Sequence, residues 1–140
     1  MDHEHYPDSY LCDILERVRT IAVVGASPRR GRPSHGVMAY LQRHGYRVIP
    51  VNPNAASNLI NGETCYAALA EVPEPIDMVD VFRRSEAAGA AADEAIAIGA
   101  KIVWMQLGVR DAAAAARAEA RGLKVVMNRC PAIEIPRLGL

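Results

Sequence analysis

The sequence predicts an α/β fold: a doubly wound, mostly parallel five-stranded sheet with helices on both faces. Three observations carry that expectation. Short apolar, β-rich runs recur without polar alternation, as strands buried on both faces require. Helical segments lie between them, and a glycine closes most of these segments. Strands alternating with helices in one chain imply crossover connections and a parallel sheet.

Each element has a local reason. In 9–19, Leu11, Ile14, Leu15 and Val18 repeat at i, i+3, i+4, i+7, one buried helical stripe with Ser9 as its cap. Thr20-Ile21-Ala22-Val23-Val24 is the first strand and runs into Gly25. Ser34 is expected to cap a helix that buries Val37, Met38 and Leu41 and stops at Gly45. Arg47-Val48-Ile49-Pro50-Val51 is the second strand, with Pro50 weakening its pairing. A loop over 52–62 and a short helix over 66–71 precede the third strand, 77–82. A helix over 85–98 stops at Gly99, a strand follows over 101–105, a helix over 111–121 stops at Gly122, and 123–127 is the fifth strand. The Ala-rich stretches 87–97 and 112–120 are good helix formers and need no further meaning.

Composition narrows the function classes. A chain of 140 residues reads as one domain over 1–140, with 1–8 as a frayed extension. Hydrophobic residues at 51% and charged residues at 23% suit a globular core. Lys+Arg and Asp+Glu both number 16, so no global field draws the protein to nucleic acid or to an anionic membrane. No apolar run is long enough to span a bilayer. Three scattered cysteines and a polar, acidic start fit a cytoplasmic protein.

Candidate chemistry gathers at the strand ends, where open α/β sheets bind ligands. Five segments qualify: 25–34, 52–54, 83–84, 106–108 and 128–131. Gly25 permits a sharp turn, and small Ala26 and Ser27 let backbone N–H groups approach an anion at the start of the next helix. Ser27 stands where a dinucleotide fingerprint has its second glycine, and no Walker lysine follows. Arg29, Arg30 and Arg32 crowd the same loop, and guanidinium groups are preferred phosphate partners. Asn52 occupies the position where NAD enzymes usually carry a ribose-binding carboxylate. Asp77 and Asp80 are three apart on a strand and face opposite sides, which excludes a paired-carboxylate site. His3 and His5 lack supporting metal ligands, Cys130 lacks an activating neighbour, and no nucleophile–base pair is supported. These readings favour a binding protein over an enzyme.

Several motifs together resemble a known family. Val23-Val24-Gly25-Ala26-Ser27-Pro28, Val48-Ile49-Pro50-Val51-Asn52-Pro53, Val79-Asp80-Val81-Phe82-Arg83, Trp104-Met105-Gln106-Leu107-Gly108 and Asn128-Arg129-Cys130-Pro131 are similar to the bacterial stand-alone CoA-binding domain proteins. That family resembles the N-terminal CoA-binding domain of the succinyl-CoA synthetase α subunit, and the likeness covers about residues 10–140. It implies a Rossmann-like fold that holds coenzyme A, or an acyl-CoA, by its phosphates and adenosine. By position, first-loop contacts fall on Gly25, Ala26, Ser27, Pro28, Arg29 and Arg30. Val51, Asn52 and Pro53 would flank the adenosine, and Phe82, Arg83, Met105, Gln106 and Leu107 would line the remaining wall. The synthetase's lysine beyond its second strand has no counterpart in Asn52-Pro53-Asn54-Ala55-Ala56, and Arg83 could replace it. The synthetase's phosphorylated histidine lies beyond the matching region, which leaves binding without catalysis as the expectation. The alternative is a small NAD(P)-binding enzyme or redox sensor that uses the same crevice.

Overall fold

The computed structural model describes all 140 residues. Five strands form one sheet: β1 (Thr20–Val24), β2 (Arg47–Val51), and, numbered after a small hairpin, β5 (Met78–Val81), β6 (Ile102–Met105) and β7 (Lys124–Val126). The hairpin strands are β3 (Leu59–Ile60) and β4 (Glu63–Thr64). The sheet order is β2-β1-β5-β6-β7, and every neighbouring pair is parallel. From β1 the chain moves outward to β2, then returns past β1 to build β5, β6 and β7. The order therefore reverses between β1 and β5, and the carboxyl ends of these two strands flank a crevice.

Helices cover both faces. α1 (Asp8–Arg17), α2 (Pro33–His44) and α5 (Pro131–Arg137) pack on one, and α3 (Ser85–Ala97) and α4 (Ala112–Ala120) on the other. Alanines of α3 and α4 lie flush on Val79, Val81, Val103 and Val125. On the opposite face the fully buried Trp104 packs among Ile21, Met38 and Ile135. Its indole Nε1 donates to Arg129 O at 2.8 Å, so the one polar atom of that ring is satisfied.

Several expectations are corrected. The first residues, expected as a frayed extension, are placed along an otherwise open sheet edge. β7 is an edge strand, and its backbone groups would lack partners. The Tyr6 hydroxyl accepts from Met127 N at 2.8 Å, while Tyr10 donates to Val125 O at 2.9 Å. His3 adds a hydrogen bond to Glu119 at 3.0 Å. Burial pushes the Tyr10 phenol up to about 12, keeping its donor proton in place. The stretch 66–71 is not a helix: Tyr66 pairs with the outer edge of β2, and a single 3₁₀ turn, Leu69–Glu71, follows. That pairing and the edge position of β2 accommodate Pro50. The loop 52–62 contains β3 and its turn, where Asn61 and Gly62 both have positive φ, as a primed hairpin turn requires. Finally, α5 was not expected; Pro131 starts it, with its fixed φ suited to the first helical position.

Candidate functional site

A cavity of about 650 Å³ opens at the β1/β5 switch point. All five strand-end segments contribute to it, through Gly25, Ser27, Arg29, Asn52, Arg83, Gln106 and Cys130 among others. Three arginines, Arg29, Arg32 and Arg83, line it, and no carboxylate does. Arg29, Arg30, Arg32, Arg83 and Arg84 form no ion pair with any carboxylate of the chain, whereas Arg17, Arg47, Arg110, Arg117, Arg129 and Arg137 all do. In a protein of zero net charge, this places five unpaired arginines at and beside the crevice; Arg19, Arg43, Arg121 and Lys101 are the other arginine and lysine side chains without an ion pair. A second cavity of about 630 Å³ at the opposite strand ends is as large but differs in charge: Asp13, Glu16 and Asp77 stand among its basic residues, and Asp13 bridges Arg17 and Lys124. Charge rather than volume singles out the first as the candidate anion site.

Gly25 makes the turn possible. Its φ is +89°, and a Cβ there would stand 2.1 Å from Phe82 O. The chain leaving β1 therefore passes directly over the end of β5, and only glycine fits. The amides beyond it are not all available. Gly25 N donates to Val51 O at 2.8 Å, and Ser27 N donates to Ser34 Oγ at 3.1 Å. Ala26 N–H and Ser34 N–H have no acceptor within the protein. Arg30 N–H and Gly31 N–H are free as well; of the four, Ser34 N–H belongs to the cavity lining at the positive end of α2, where an anion is favoured. Ser34 is thus not the helix cap. Arg32 is the N-cap and Pro33 the first helical residue, which places the Ser34 hydroxyl against the turn.

The rim is tied together by side chains. Asn52 Nδ2 donates to Ala26 O at 2.8 Å while its Oδ1 accepts from Asn54 N at 3.0 Å. Ser85 Oγ accepts from Arg110 N at 3.0 Å, and Asn128 Oδ1 accepts from Gly108 N at 2.7 Å. Successive strand-end loops are therefore linked before any ligand arrives, which lowers the ordering cost of binding. Both ends of the Asn52 amide are spent on the backbone, so this side chain serves the scaffold rather than a ribose.

Of the residues expected at the site, Gly25, Ser27, Arg29, Asn52, Phe82, Arg83, Gln106 and Leu107 line the cavity. Ala26 is buried and does not line it, and Pro28 and Arg30 are exposed outside it. Met105 is fully buried against α3 and α4, because strand alternation turns it away from the face that holds Gln106. Val51 and Pro53 line a separate small cavity of about 210 Å³ beside Arg83. Arg32, expected with the arginine loop, joins the lining, as do Pro33, Ser34, Val37, Val109 and Cys130, which were not expected as contacts. The first four follow from a helix that points its first turns at a phosphate loop, a geometry the sequence already implied.

Fold and site together define a small Rossmann-like α/β domain with an arginine-lined crevice at its strand ends. Comparison with known proteins makes the assignment particular: residues 19–136 match the family model described as CoA binding domain, and the chain belongs to that family. It is 40% identical over 118 residues to the Bacillus subtilis uncharacterized protein YneT, covering 84% of this chain and 86% of that one. A solved Thermus thermophilus protein, cell-free ID.343, superposes with a TM-score of 0.90 at 38% identity, covering 95% of this chain and 99% of that one. The α subunit of acetate–CoA ligase (ADP-forming) I from Pyrococcus furiosus is 28% identical over 95 residues, which span 65% of this chain but 21% of that subunit.

Proposed function

We propose that the protein binds coenzyme A or an acyl-CoA at the β1/β5 crevice without transforming it, as a carrier, sensor or regulatory partner in the cytoplasm. The observation that carries this reading is the carboxylate-free cavity with three lining arginines, set over the first turn of α2, where Ser34 N–H has no acceptor. The ligand's pyrophosphate would take Ala26 N–H, Ser34 N–H and the helix end. Arg29 and Arg32 would hold the 3′-phosphate, and Arg83 would stand between the two. Phe82 and Leu107 supply apolar wall, and the 56% exposure of Leu107 marks where the pantetheine arm would leave. Membership of the CoA binding domain family supports the ligand class. The activity of the acetate–CoA ligase belongs to a much longer protein, of whose α subunit the matched residues span 21%.

Thermal denaturation with CoA, acetyl-CoA, NAD, NADP and ATP tests the reading. At a hundred times its Kd, a ligand adds about 2.7 kcal/mol, which for this size is a rise of roughly 10 °C. CoA and acetyl-CoA should both give it. Stabilisation by NADP but not by CoA would sink the proposal.

A further inference from the structure

Asp80 is a carboxylic acid in the middle of an apolar strand, 0% exposed. The pleat puts it on the face of Met78, with Val23 of β1 and Trp104 of β6 beside it in register. No basic group pairs with it. The titratable and charged groups on the elements around this end of the sheet are His35 on α2, Glu134 on α5, Cys130, and Arg29, Arg32 and Arg83 at the cavity. None of them shifts Asp80; burial alone does, pushing its carboxyl well above the usual carboxylate range.

Its one polar contact is the side-chain amide of Gln106, an end of which lies 3.0 Å from one carboxyl oxygen and 3.3 Å from the other. That contact has two forms. A charged carboxylate would accept from Gln106 Nε2 and leave Oε1 at the far end. A neutral carboxyl would donate to Oε1 and leave Nε2 there. The far end faces only donor groups and forms no hydrogen bond within the protein, yet no fully buried polar side-chain atom lacks a partner. Although Gln106 is only 6% exposed, its far end therefore reaches the cavity that the residue lines. A charged carboxylate buried with one neutral amide and no cation is the costly form.

We infer that Asp80 is a positioning residue for the ligand site: its neutral carboxyl donates to Gln106 Oε1 and turns the Gln106 N–H toward an acceptor oxygen of the bound molecule. With the CoA reading, on which this inference rests, the acceptor is a phosphate oxygen or a pantetheine carbonyl. A charged Asp80 would reverse the amide and present an acceptor to an acceptor. Ligand affinity is thereby coupled to one buried proton.

Carbon-detected NMR of the free protein reads the first step. At neutral pH the Asp80 carboxyl carbon should show the protonated shift; an ionised shift overturns the inference whether or not CoA binds. Calorimetric titration reads the second. Asp80→Asn, which can donate to Oε1 from the same place, should keep CoA affinity within about threefold. Through the pH range in which the Asp80 carbon titrates, wild-type affinity should fall by up to about tenfold per unit while that of Asp80→Asn does not. Affinity that ignores the Asp80 titration overturns the coupling. Gln106→Met removes the N–H and should cost about tenfold. A loss shared by CoA and 3′-phospho-ADP assigns the acceptor to phosphate, a loss confined to CoA assigns it to pantetheine, and no loss with either overturns the inference. Should wild type bind no CoA, the functional reading fails, and the carbon shift still decides the Asp80–Gln106 arrangement.

Discussion

Replacing Gly25 by alanine separates two costs that the structure puts in one residue. The first is conformational: at φ +89° an L-residue is disfavoured by about 1–2 kcal/mol. The second is steric: the new Cβ would stand 2.1 Å from Phe82 O and 3.0 Å from Phe82 C. Phe82 cannot simply retreat, because its own N–H is held by Val24 O at 2.8 Å. Forcing a methyl group into packed surroundings costs about 1–3 kcal/mol. Gly45 supplies the matched control, with φ +109° and nothing within 4 Å of the added Cβ. Gly45→Ala should therefore lose about 1–2 kcal/mol and Gly25→Ala about 2–5. Urea denaturation measures both, and the difference corresponds to a Tm gap of roughly 4–12 °C. Gly25→Ala should also lose most of its stabilisation by CoA, because the turn would shift away from Ala26 N–H. A Gly25→Ala protein as stable as Gly45→Ala would refute the close crossing of β1 and β5.

Other perturbations test different parts of the account. Arg29→Ala,Arg32→Ala should narrow the preference for CoA over dephospho-CoA from about ten- to a hundredfold to near unity, whereas Arg30→Ala, outside the cavity, should change it little; calorimetry with both ligands checks this. Tyr6→Phe strips Met127 N of its partner and should cost about 1–3 kcal/mol in urea denaturation, an effect a loose N-terminus would not show. Folded Asp80 keeps a proton that the unfolded chain releases near its ordinary value of about 4, so wild-type stability should fall as pH rises from there toward the raised value, by up to about 1.36 kcal/mol per unit. Asp80→Asn lacks that loss, and its stability relative to wild type should grow as pH rises above the ordinary carboxylate range toward the raised value; a constant difference would count against a buried neutral acid.

The strands and the crevice were legible because burial on both faces leaves an unbroken apolar run, and each run ends where the ligand rule looks. Gly25 and the arginine loop carried the site for the same reason. The phase of the strand ends was not legible. Met105 and Gln106 are neighbours, and only the packing of α3 and α4 decides which of them turns from the cavity. Asp80 is visible as an odd acid in an apolar strand, but Gln106 reaches it only through the register of β5 with β6. α5 was missed because its seven residues include Pro131 and Pro136, which read as breakers unless Pro131 is taken as the first helical position. Asn61-Gly62 was a readable hairpin signal, hidden by flanking strands of two residues each.

Amide-resolved NMR during a titration with CoA is the most direct test of where the ligand sits. The largest shifts are expected at Ala26, Ser27, Arg29, Arg32, Ser34, Gln106, Leu107 and Cys130, with Arg19, Asp77, Lys101 and Lys124 at the opposite cavity unmoved. Shifts concentrated at that opposite, mixed-charge cavity, or none at millimolar CoA, would contradict it.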